Sequence, residues 1–92
     1  MNILQQASKI VESRQDKYGD AIESWREIAK IASIRTGKEL TALDCIAVLD
    51  SMKIIRSKYS PEKDDHDIDR AGYLLIEHMI KKSEQSKEKS HA

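Results

Sequence analysis

Apolar residues recur along this chain at spacings of three and four, the signature of helices that turn one face to a core. Ile3, Leu4, Ala7, Ile10 and Val11 predict a first helix over residues 2–17. Gly19 then offers the left-handed backbone on which helices end. Asp20 follows as a predicted N-cap, with Glu23 three residues on in the spacing of a capping box. The second helix presents Ile22, Trp25, Ile28, Ala29, Ile31 and Ala32 to a core. It stops at Thr36-Gly37, where Arg35 and Lys38 suit the negative C-terminal end.

Thr41 is the predicted N-cap of a third helix, and Leu40 and Cys45 are spaced to staple its start. From Asp44 to Arg56 this helix is apolar almost all round. Such a helix must be covered on nearly all sides, which makes it the predicted central element, packed by its own chain and by a neighbouring subunit. Tyr59-Ser60-Pro61-Glu62-Lys63 breaks it, because proline cannot continue a helix and pushes Ser60 towards extended geometry. A fourth helix follows with Ile68, Ala71, Gly72, Leu75, Ile76 and Met79 on one face. Gly72 costs about 1 kcal/mol against alanine there, so close backbone approach by another helix is the expected compensation. From Lys81 no apolar residue appears until Ala92, which predicts a disordered polar tail over 82–92 behind a single domain over 1–81. No strand pattern or internal repeat is visible. The fold class is all-α: a compact four-helix domain, central third helix, oligomeric.

Composition narrows the function classes. Ninety-two residues make one domain with a small core, for which self-association is a natural supplement. Charged residues are 35% of the chain, but sixteen basic and sixteen acidic side chains cancel, which argues against a general nucleic-acid coat. The lone Cys45 rules out an internal disulfide and fits a reducing cytoplasm. The N-terminal residues carry neither a basic leader nor a long apolar run, so neither a signal peptide nor a membrane partner is expected.

Candidate chemistry lies in three places. On the third helix, Lys53 and Arg56 at i, i+3 can together grip a phosphate or carboxylate, the arginine as a fork and the lysine as a point charge. An intrahelical Asp50–Lys53 pair with a solvated Arg56 explains the same residues without a ligand. On the fourth helix, Asp65 and Asp69 at i, i+4 repel each other and call for a positive neighbour, either Lys53 and Arg56 or a divalent cation. Where the first helix ends, Arg14 and Tyr18 could meet an anionic ring ligand, and Tyr73 offers a second stacking surface. Trp25 is read as core. His66, His78 and His91 have no zinc-type spacing, and no metal ligand set is expected from them. Cys45 is a small core residue rather than a nucleophile.

Taken together, Arg14-x-x-x-Tyr18-Gly19, Trp25-x-x-Ile28-Ala29, Asp44, Lys53-x-x-Arg56 and Asp65-x-x-x-Asp69-x-Ala71-Gly72-Tyr73 resemble a family of short phage and prophage proteins. The likeness spans residues 3–76. It implies a phage-encoded, all-helical protein of the host bacterial cytoplasm with no established reaction. Arg70 departs from the pattern, an apolar residue being usual there. More loosely, the chain is similar to MazG-like all-α nucleotide pyrophosphohydrolases, which hold magnesium with a Glu-Glu-x-x-Glu helix and a Glu-x-x-Asp helix. Glu23-x-x-x-Glu27 and Asp65-x-x-x-Asp69 are the nearest matches, with the wrong spacing in both.

These readings converge on a non-enzymatic protein that binds and sequesters a nucleotide-type ligand, such as a host immune signal, as a homo-oligomer. Its expected ligand-binding residues are Arg14, Tyr18, Lys53, Arg56, Asp65, Asp69 and Tyr73, with no cofactor. The alternatives are an inhibitor that docks on a host defence protein, or a magnesium-dependent pyrophosphohydrolase with Asp65 and Asp69 as metal ligands.

Overall fold

The computed structural model describes residues 2–18 and 20–91, and their side chains apart from those of 15–18 and 86–91. Four helices follow one another: α1 (Ile3–Tyr18), α2 (Ala21–Thr36), α3 (Ala42–Tyr59) and α4 (Asp65–His91). No strand interrupts them among the described residues. None is long and apolar enough to cross a membrane.

The starts of α1, α2 and α3 are each fixed by a polar side chain that takes up orphan backbone N–H groups. At α1, Asn2 and Gln5 form a reciprocal pair: the Gln5 N–H donates to Asn2 Oδ1 at 2.8 Å and the Asn2 N–H to Gln5 Oε1 at 3.0 Å. Asp20 caps α2 as expected, accepting from the Ile22 N–H at 2.9 Å. Glu23 does not complete a capping box there; its carboxylate lies 4.0 Å from Arg26 on the next turn. At α3 the box is complete, with Thr41 Oγ1 accepting from the Asp44 N–H and Asp44 Oδ2 from the Thr41 N–H.

The α2–α3 connection is equally specific. Gly37 sits at φ 70°, where only glycine is unstrained, and its N–H closes α2 onto the Ser33 carbonyl at 3.0 Å. Ser33 Oγ then donates to the Ala29 carbonyl and accepts from the Leu40 N–H, tying the connection back to its helix. The helix-ending role read for Gly19 falls outside the described residues.

The hub of the fold is α4. It packs against all three other helices, most extensively α1 and α3, whereas α3 packs on α2 and α4 but not on α1. This corrects the expectation of a central third helix. Ile46 and Ala42 of α3 are buried with Trp25 and Ile80, and Leu43, Cys45 and Leu49 pack against that cluster. The opposite face of α3 is bare: Val48 is 69%, Ile55 56% and Tyr59 80% exposed. One chain of this length has too few helices to cover an element that is apolar all round. A second apolar group, Ala7 and Val11 of α1 with Ile68 of α4, forms the other side of the hub.

Two further expectations change. A Cβ built on Gly72 would lie 3.7 Å from Val11 Cγ2, an ordinary contact, so no close helix approach requires glycine there. And α4 stays helical to His91, through the stretch whose composition predicts a disordered tail. Lys, Glu and Gln in that stretch are good helix formers, and a helix already nucleated on the core propagates through them.

Candidate functional site

Between α1, α2 and α4 lies a cavity of about 370 Å³. Its walls are apolar: Ala7, Ile10 and Val11 from α1, Trp25 and Ile28 from α2, and Ile68, Gly72 and Ile76 from α4. α1 packs closely on α4, whereas α2 leans mainly on α3 and meets both α1 and α4 only sparsely. The gap between them is the cavity. Trp25 and Tyr73 close its inner side edge to face, with ring centroids 6.2 Å apart and planes at 89°.

Polar groups stand at its border. Arg14 projects from α1 into the lining, and Asp69 and Tyr73 join it from α4. Lys53 Nζ reaches Asp69 Oδ2 at 2.6 Å from α3, with the lysine side chain 15% and the carboxylate 30% exposed. The cavity therefore has one cationic and one anionic group on a mostly apolar surface, the composition typical of small-molecule sites.

The next residue of α4 makes a second link to α3. Arg70 Nε donates to Asp50 Oδ1 at 2.8 Å. That hydrogen bond raises the guanidinium above its ordinary range, with the charges of Asp50 and Asp67 adding to it. A raised arginine keeps its contribution below its ordinary value and loses it only as pH climbs through the folded value, so the guanidinium itself stays charged in any working buffer. Arg70 thus answers Asp50.

The structure accordingly brings together three of the expected binding residues, Arg14, Asp69 and Tyr73, with Lys53 at their edge. The intrahelical Asp50–Lys53 pair is not formed; each residue crosses to α4 instead. Lys53 and Arg56 do not act as one grip, because Lys53 is engaged by Asp69 while Arg56 is exposed. Asp65 is exposed in the first turn of α4, where its charge suits the helix dipole. The Tyr18 side chain lies outside the described residues. Trp25 is core, as read, but it also forms part of the cavity wall. Its periodic partners Ile10, Val11 and Ile28 gave no sign in the sequence that a gap would separate them.

Among the described residues no three His, Cys, Asp or Glu side chains gather as a metal-ligand group. Glu27 is exposed, Glu23 leans towards Arg26, and Asp69 is held by Lys53. The acids named for a magnesium centre are thus dispersed or engaged.

A family model described as a domain of unknown function, DUF6378, matches residues 2–81, which includes every residue of the cavity. Neither the curated proteins nor the solved structures contain a match to the chain.

Proposed function

We propose that this chain, which belongs to the DUF6378 family, binds a nucleotide-type ligand in the α1–α2–α4 cavity and sequesters it without chemistry. The observation that carries the reading is the lining itself: Arg14, Ser24, Asp69 and Tyr73 on a mostly apolar pocket walled by Trp25. A ligand suited to it has an anionic group, a flat or apolar body and hydrogen-bond donors. A nucleotide has all three. Arg14 takes a phosphate oxygen as a fork, the Trp25 and Tyr73 rings pack on the base, and Asp69 accepts from a ribose hydroxyl or a base amine. Lys53 stabilises the Asp69 carboxylate and fixes its direction from α3.

The polar lining residues are Arg14, Ser24, Asp69 and Tyr73, groups that hold a ligand by charge and hydrogen bonds. Sequestration is the activity such a site can perform. The resemblance to phage and prophage proteins directs the choice of ligands towards host signalling nucleotides.

Isothermal titration calorimetry with cyclic dinucleotides, ADP-ribose derivatives and nucleoside mono-, di- and triphosphates tests the reading. Saturable heat with at least one class is expected, reduced tenfold or more in affinity by Arg14→Ala. No heat from any of them at a protein concentration of about 100 µM, far above the Kd of a micromolar site, overturns it.

A further inference from the structure

We infer that a second copy of this chain packs on the exposed face of α3, antiparallel and about a two-fold axis at Ser51. The inference is independent of the cavity and its ligand.

The isolated chain exposes more surface than its mass requires. Its accessible surface is 6957 Å² at 10.5 kDa, against roughly 5,400 Å² for a compact monomer of that mass. The radius of gyration, 14.6 Å, likewise exceeds the roughly 12 Å expected. The long α4 and the exposed apolar side chains of α3 both contribute to this excess. A standard interface needs about 800 Å² from each partner, which the excess of about 1,500 Å² accommodates.

The apolar face of α3 has the pattern of a helix seam. Asp44, Val48, Ser51, Ile55 and Lys58 are spaced 4, 3, 4 and 3 apart, so they line one side of the helix. Val48 and Ile55 are more than half exposed, Ile54 and Tyr59 flank them exposed, and Ala47 fills the remaining space. Ser51, at the centre, is small, and its hydroxyl already donates to the Ala47 carbonyl at 2.8 Å. It can therefore be covered without leaving an unpaired donor.

Charge sets the direction. The stripe carries one acid at its N-terminal end, Asp44, and one base at its C-terminal end, Lys58. Both lie seven residues from Ser51. Two parallel copies would place like charges together, whereas antiparallel copies place each Asp44 against a Lys58. The same operation sets Val48 of one copy on Ile54 of the other, and Ile55 on Ala47. The patch is self-complementary, as a two-fold interface must be. On α2 the exposed Ile31 and Ile34 are flanked by Lys30 and Arg35, so the same antiparallel operation there would set a base against a base.

Sedimentation velocity of the full chain should give twice the 10.5 kDa chain mass at about 50 µM. Ile55→Glu places two like charges in the seam and should weaken the dimer at least a hundredfold, leaving helical circular dichroism unchanged because Ile55 is exposed within one chain. Ser51→Cys should form a covalent dimer on mild oxidation, since the two Ser51 positions meet at the axis, with wild type and its Cys45 as the baseline. A monomeric wild type at that concentration, or a dimer that Ile55→Glu leaves intact, overturns the inference. If Ile55→Glu fails to fold, Ser51→Cys decides: cross-linking above the baseline supports the seam, and none contradicts it.

Discussion

Replacing Gly72 by alanine separates the two roles this position could have. Gly72 lies in the interior of α4, where glycine is less favourable than alanine by about 1 kcal/mol. The added Cβ would sit 3.7 Å from Val11 Cγ2 and meet no other atom within contact distance. It would also bury one methyl group, worth up to roughly 0.8 kcal/mol. Gly72→Ala is thus expected to stabilise the fold by about 1–1.5 kcal/mol. For a domain of this size that is a rise in Tm of about 4–8 °C per kcal/mol, read by thermal unfolding. The methyl group enters the wall of the cavity, so nucleotide affinity should fall in the same variant. A lower Tm would refute the packing argument and restore the close helix approach that the sequence suggests. A higher Tm with unchanged affinity would place the ligand elsewhere.

Other consequences are as specific. A double-mutant cycle of Lys53→Met and Asp69→Asn should give a coupling of about 0.5–1 kcal/mol, reduced at 1 M salt because both groups are partly exposed; zero coupling at low salt would mean the contact has no energetic role. Thr41→Ala should lose about 1 kcal/mol in urea unfolding by removing the capping box of α3, and an unchanged midpoint would show that packing alone sets that end. His66 Nδ1 is buried without a hydrogen-bond partner, so His66→Phe should be neutral or stabilising by up to about 1 kcal/mol. A loss beyond that would reveal a partner for the nitrogen.

The helices were legible in the sequence because their boundaries are chemical. Asp20 and Thr41 mark starts by capping, Gly37 an end by lacking a Cβ, and Pro61 an end by its ring. The pairing of Lys53 with Asp69 was legible as one of two alternatives, since i, i+4 acids call for a cation. The hub was not. An all-apolar α3 reads as central on periodicity, but periodicity does not say how many neighbours one chain can supply. Its outer face remains exposed here and α4 takes the central place. The cavity was equally hidden, because a gap depends on how far α2, packed mainly on α3, stands from α1 and α4. Arg14, Asp69 and Tyr73 could be named from their chemistry, but their meeting on a wall of Ile10, Val11 and Trp25 depends on tertiary geometry.

Trp25 offers the most direct reading of the central claim. It is the single tryptophan of the chain and stands between the core and the cavity, so its fluorescence responds to what enters that space. Titration with the nucleotide classes named above should change its intensity or wavelength saturably, at micromolar ligand, with the response lost in Arg14→Ala and weakened in Asp69→Asn. A Trp25 signal that no nucleotide moves, or one that Arg14→Ala leaves intact, would contradict the assignment of this cavity as a nucleotide site.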